Sequence, residues 1–215
     1  MSIPTFFRFR SVAEAYEKLV PYVLNNGFEQ QSERGLTRYL PYTLIEITNP
    51  KIRRVPNKYP LGKKTIDDYI SCFLNGYNNQ DFVYTYHDRI VQYGCNSNCN
   101  CVNQLKYVID KLKENKNTRR AYISIWNPCQ DTKTNEIPCL VGIHFQIIND
   151  NLIMQTIMRS QDLLLAFPSN LLAFSRLGEK VANEVGIPFK RLIHYVMNLH
   201  IYVERDKDYI DRWFR

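Results

Sequence analysis

Cys139 follows Ile137 and Pro138, opens the alternating apolar run LVGIHFQII, and is answered further along by MRSQD. A cysteine attacks as its thiolate, and positive charge nearby lowers its pKa toward that reactive form. Arg159 offers a guanidinium fork of the kind that binds phosphate bidentately, and Ser160 adds a hydroxyl donor. Asp162 follows in the same run, Asn170 lies in FPSN, and His200 and Tyr202 alternate in LHIY; the pair Arg119 and Arg120 stands upstream. Together these types suit a nucleophilic thiol beside a phosphate held by arginines, and the spacing predicts a depressed Cys139 pKa. Each has a plainer reading by itself. An isolated cysteine is ordinarily a small buried hydrophobe, two arginines at a strand start are a solvated edge, and a histidine beside a tyrosine is a packed pair.

The elements that must position these groups are legible in outline. Residues 11–27 begin with Ser11 and Glu14, a two-sided helix cap, and continue with Val12, Tyr16, Leu19 and Val23 at helical spacing, with a kink expected at Pro21. YTLIEITN alternates and is β-rich, a strand closed by Asn49 and Pro50. Residues 51–64 read as an exposed loop, and TIDDYISCFLNG as a short helix capped by Thr65 and stopped by Gly76. Residues 81–101 are aromatic and irregular, so no structure is assigned there. From Val102, apolar Leu105, Val108, Ile109 and Leu112 predict an amphipathic helix ending near Asn115. RRAYISIW, LVGIHFQII and NLIMQTIM predict strands, the last two joined by a turn at IINDN. A helix over residues 170–186 follows, with Leu171, Phe174, Leu177, Val181 and Val185 as its buried face, and then a strand in LIHYVMNLHIYV. The mixture predicts an α+β fold with a mixed, largely antiparallel sheet packed by helices.

Composition narrows the class. At 215 residues and 45% hydrophobic, the chain can bury a substantial core, and one domain over residues 1–215 is expected. No apolar run approaches the roughly eighteen residues of a membrane span, and MSIPTFFRFRSV lacks a secretory signal, which predicts a cytoplasmic protein with no membrane partner. A net charge of +7 favours an anionic partner, but Lys and Arg are scattered rather than gathered in a basic arm, so nucleic acid is not the expected one. The six cysteines read as reduced thiols; CNSNCNC lacks paired C-x-x-C spacing and reads as a reduced loop with no metal. His87, His144 and His194 are taken as structural.

The order NTRRAYISIWNP, IPC, MRSQD, FPSN and LHIY resembles the thymidylate synthase and pyrimidine nucleotide hydroxymethylase superfamily. The likeness runs from about Gln104 to Asp206 and is fainter in SERGLTR and IEITNPKIRR. The resemblance implies a thymidylate synthase-like fold and a homodimer with shared sites. It makes Cys139 the nucleophile that adds to C6 of the pyrimidine, with Arg159 and Ser160 as phosphate ligands in the same subunit. Arg119 and Arg120 would reach into the neighbouring subunit's site, and Arg34 would be a further phosphate ligand. Asp162 would lie near base and cofactor, and His200 with Tyr202 would hold the sugar 3′ hydroxyl.

Asn170 would read the base by donating to uracil O4 and accepting from N3–H. Members acting on cytosine tend to carry aspartate there, so dUMP is the expected substrate, although a flipped amide would suit dCMP. Three positions depart from the pattern. Leu140 replaces a common histidine. Tyr69 occupies the place of a glutamate that organises proton transfer, with Asp68 one position off as the substitute catalytic acid. The chain ends at DRWFR, short of a segment that closes over the folate in longer members. The implied activity is conversion of dUMP to dTMP with 5,10-methylenetetrahydrofolate. The alternatives are 5-hydroxymethylation of dUMP or dCMP, and a nucleotide-binding protein without turnover.

Overall fold

The computed structural model describes residues 5–77, 84–94 and 101–214. It is an α+β fold built on a mixed sheet of eight strands in the order β1-β3-β8-β6-β5-β4, with β2 on β3 and β7 on β8. β1 (Thr5–Phe9) leads into α1 (Val12–Asn26), then the hairpin of β2 (Phe28–Ser32) and β3 (Gly35–Ile47). Ser11 caps α1 by accepting from the Glu14 N–H at 3.2 Å, while the Glu14 carboxylate accepts from the Arg10 N–H at 2.7 Å. The apolar stripe Val12, Tyr16, Leu19 and Val23 is fully buried, and Pro21 sits inside the helix, which continues to Asn26.

Residues 51–61 form the expected loop, but it is not wholly exposed. Tyr59 is buried and donates its hydroxyl to the Leu165 carbonyl at 2.8 Å, which satisfies the polar end of a ring packed into the core. α2 (Gly62–Asn75) starts before the expected cap: Thr65 lies within the helix and donates back to the Leu61 carbonyl. Lys63 and Lys64 pair with Asp67 and Asp68 at i,i+4, which supports the additional turn. Gly76 ends it at φ 90, a conformation that glycine supplies without strain.

α3 (Tyr86–Val91) occupies part of the segment left without assignment; α4 (Gln104–Glu114) follows as expected, capped by Asn103. β4 (Tyr122–Ser124) is shorter than RRAYISIW, and α5 (Pro128–Asp131) is a single turn. β5 (Leu140–Ile148), β6 (Asn151–Met158) and β7 (Gln161–Asp162) lead into α6 (Phe167–Val185), β8 (Phe189–Tyr202) and α7 (Lys207–Trp213). β8 is the centre: it runs antiparallel to β3 on one side and parallel to β6 and β7 on the other. α6 is buried along most of its length and closes the core over the sheet.

Cys101 is disulfide-bonded, which corrects the reading of its loop as fully reduced; Cys95 and Cys99 lie outside the described residues. Cys72, Cys129 and Cys139 are free thiols. Among the described residues no helix is long and apolar enough to cross a membrane.

Candidate active site

The β5–β6 hairpin places the thiol against the arginine through its turn and a register shift at its open end. Asn149 and Asp150 are both left-handed, at φ 50 and 55, as a two-residue type I′ turn requires, and Asn and Asp tolerate that region. The turn pairs Ile148 with Asn151, and an irregularity between Leu140 and Gly142 then shifts the register by one residue, so that Leu140 pairs with Met158. Cys139 and Arg159 are therefore neighbours across the strands, and the Arg159 N–H donates to the Cys139 carbonyl at 2.9 Å. A slip of one residue would send the Arg159 side chain to the other face.

In this register the guanidinium folds over the segment before Cys139. Its Nε donates to the Pro138 carbonyl at 3.0 Å and one Nη2 hydrogen to Ile137 at 2.9 Å, with Cys139 Sγ 3.7 Å away. Among the described residues the Nη1 hydrogens have no hydrogen-bond partner.

The thiol is half-buried, and burial pushes its pKa up; Arg159 and Arg34 pull it down, and Asp162 adds to the rise. This corrects the expectation of a depressed pKa: desolvation of a thiolate outweighs the two cations in the chain alone. Tyr69, Tyr84, Tyr86 and Tyr202 all lie within electrostatic reach of the sulfur. The Tyr86 hydroxyl accepts from the Leu140 N–H at 3.2 Å, and its ring centroid is 5.8 Å from that of Tyr84. Burial raises the pKa of both phenols.

Asn170 lies in the first turn of α6 and is buried. Its Nδ2 donates to Gln161 Oε1 at 3.3 Å, Gln161 Nε2 donates to the Asp162 carbonyl at 3.0 Å, and the Tyr69 hydroxyl donates to Asn170 Oδ1. Tyr69 is raised far above the ordinary phenol pKa by burial, so this position offers a neutral hydroxyl where the resemblance predicts a carboxylate. Asp68 is not brought to the cluster. Its side chain is 63% exposed and pairs with Lys64 at 2.8 Å, because a helical step of one residue turns it away from the face Tyr69 occupies. That placement corrects the expectation of Asp68 as the substitute acid.

The end of β8 brings His200 and Tyr202 to the same place. Their rings meet edge to face at 4.8 Å. His200 Nδ1 lies 3.5 Å from Ser160 Oγ and 3.1 Å from Asn198 Oδ1; burial lowers its pKa against the opposing charge of Asp162. Asp162 pairs with Arg205 at 2.7 Å, and Arg205 also grips both oxygens of Asp206 and covers the Tyr202 ring at 4.3 Å.

Arg34, exposed in the β2–β3 turn, acts electrostatically on both Cys139 and Tyr202. Arg119 and Arg120 are exposed just before β4 and are not gathered into the cluster of this chain. Sequence reasoning did not single out Tyr84, Tyr86, Gln161 or Arg205. The run VERDKD hides Arg205 among solvated charges, and nothing in YTYH separates a site wall from ordinary packing. A cavity of about 510 Å³ lies elsewhere, between α2 and α6, lined by Ile66, Ile70, Leu172, Arg53 and Arg176 and by none of these groups.

Fold and site thus define an α+β protein that presents a cysteine, with arginine, serine, histidine and tyrosine around it, at the ends of β5, β6 and β8. The family model described as thymidylate synthase matches residues 63–211, and the chain belongs to that family. Relatives each bearing the name "Putative thymidylate synthase" match nearly end to end. One from Methanocaldococcus jannaschii is 40% identical over 95% of this chain and 93% of its own length. Another from Methanococcoides burtonii is 32% identical over 98% and 95%, and one from Methanothermobacter marburgensis is 31% identical over 89% and 90%.

Proposed function

We propose that this chain methylates dUMP to dTMP through a covalent adduct between Cys139 and C6 of the base. The observation that carries the reading is the Arg159 clasp, which holds the thiol within 3.7 Å of a guanidinium that still has donors to spare. Cys139 sulfur adds to C6, and the C5=C6 electron pair moves to C5, where it attacks a one-carbon unit. Loss of the C5 proton would then break the bond between the one-carbon unit and its carrier, leaving an exocyclic methylene on C5, and hydride added to that methylene would break the C–S bond and return the thiolate. Arg159 Nη1, Ser160 Oγ and Arg34 bind the phosphate. His200 and Tyr202 hold the sugar hydroxyl, and Asn170 pairs with the edge of the base. Arg119 and Arg120, free of their own cluster, complete the phosphate site of the other subunit in a homodimer.

The co-substrate is 5,10-methylenetetrahydrofolate, which supplies the one-carbon unit and the hydride. The residues fit it in kind: the Tyr84 and Tyr86 rings stand beside the thiol, and the Asp162 carboxylate is positioned by Arg205 at the same cluster. Of these, Tyr84, Tyr86 and Asp162 would hold it.

Incubation with dUMP, dCMP and methylenetetrahydrofolate, followed by mass spectrometry of the nucleotides, tests this. Thymidylate is expected. A 5-hydroxymethyl nucleotide would place the chain with the hydroxymethylases, and binding of dUMP without any product or release of C5 tritium would leave only a nucleotide-binding role.

A further inference from the structure

We infer that Gln161 is the residue that sets which pyrimidine this site accepts, by imposing one orientation on the Asn170 amide. The inference deepens the reading above, in which Asn170 faces the edge of the base. An amide has nearly the same shape when its oxygen and nitrogen change places, so shape alone does not stop Asn170 from turning over. Turned one way it complements uracil, turned the other way cytosine. Something must fix the polarity if the site is to be selective.

The fixed point is the main-chain carbonyl of Asp162, which can only accept. Gln161 must aim its Nε2 at that carbonyl, 3.0 Å away, so its Oε1 is the atom left to face Asn170. Asn170 must then present Nδ2 to Oε1, at 3.3 Å, and its Oδ1 is left to face the Tyr69 hydroxyl. Polarity passes from the carbonyl through Gln161 to Asn170, and one Nδ2 hydrogen and one Oδ1 lone pair remain for the base in a set order. Turning Asn170 over would press two acceptor oxygens together at positions that are 1% and 6% exposed, and no water could easily relieve them. The Tyr69 hydroxyl follows instead of leading. A phenol donates or accepts equally well by rotating its hydrogen, so Tyr69 holds the amide in place without choosing its direction.

Gln161 touches neither base nor reacting atoms in this scheme; it is a positioning residue, and its signature is selectivity and not activity. Affinities for dUMP and dCMP should be measured by calorimetry on the wild type and on Gln161→Met and Tyr69→Phe, each checked for folding by thermal melting. The two nucleotides share sugar and phosphate, so their ratio isolates the base contact. The wild type is expected to prefer one of them by roughly tenfold to a hundredfold, the range of one buried unmet polar contact. Q161M should bring the two within about threefold, and Y69F should keep the wild-type preference. If Q161M does not fold, Gln161→Ala carries the same expectation.

An unchanged ratio in the folded Gln161 variant overturns the inference while leaving the proposed function standing, as does a preference lost in Y69F alone. A wild type that binds both nucleotides equally also overturns it. A wild type that binds neither overturns the inference together with the nucleotide reading on which it rests.

Discussion

Cys139 is held between opposing pressures, and their balance decides how it behaves before substrate arrives. Burial favours the neutral thiol, and Arg159 favours the thiolate; burial wins. Iodoacetamide alkylation followed by peptide mass mapping across pH should therefore show Cys139 reacting with a midpoint above the ordinary thiol value. Arg159→Gln removes the attractive charge and should move that midpoint higher still; a wild-type midpoint below the ordinary value would mean that the cations prevail. The gathering of Cys139, Arg159, Ser160, His200 and Tyr202 was legible because they are rare polar types in a fixed order. Gln161 was not, because its part comes from hydrogen-bond polarity, which no spacing encodes. Asp68 was misjudged for a related reason: on a helix, a carboxylate one position away from the right residue faces elsewhere.

At the scale of elements, the amphipathic helices and the β5–β6 hairpin follow from periodicity and from the left-handed Asn149 and Asp150. β2 did not, because FEQQS is almost wholly exposed and leaves no apolar alternation to read; α3 is too short to show a period. The packing of α6 on β8 adds a constraint that propensity alone would miss. A Cβ at Gly178 would lie 2.5 Å from Cζ of Phe189, closer than any real contact. Gly178→Ala gains about 1 kcal/mol of helix propensity but overpacks the core at a cost of about 1–3 kcal/mol. A net loss of about 1 kcal/mol is expected from the urea midpoint, recovered in part by adding Phe189→Leu, which vacates the ring position. A Gly178→Ala protein more stable than the wild type would show that α6 can move off β8 freely.

The stability of the whole molecule should depend on pH through a group far from any titrating surface. His194, at the middle of β8, is fully buried between Phe167 and Phe174. Its Nδ1 lies 2.7 Å from Thr156 Oγ1, and its Nε2 has no partner among the described residues. Burial drives its pKa down to about 3 from 6.5, since nothing nearby would stabilise an imidazolium. The unfolded chain binds this proton as pH falls through 6.5 and the folded chain does not, so unfolding gains a proton across that window. Stability is complete above about 6.5 and declines as pH drops toward 3. From pH 7.5 to pH 5 the decline from this one group is about 2 kcal/mol. Repulsion among the chain's excess positive charges works in the same direction, so a falling stability curve alone would not identify the histidine. His194→Asn separates the two: it keeps a polar atom toward Thr156, removes the titration and leaves the surface charge as it was. Urea unfolding of both proteins at the two pH values should show a variant that is weaker at pH 7.5 yet loses about 2 kcal/mol less than the wild type on going to pH 5. Equal losses in the two proteins would assign the acid sensitivity to surface repulsion and leave the buried imidazole without a part in it.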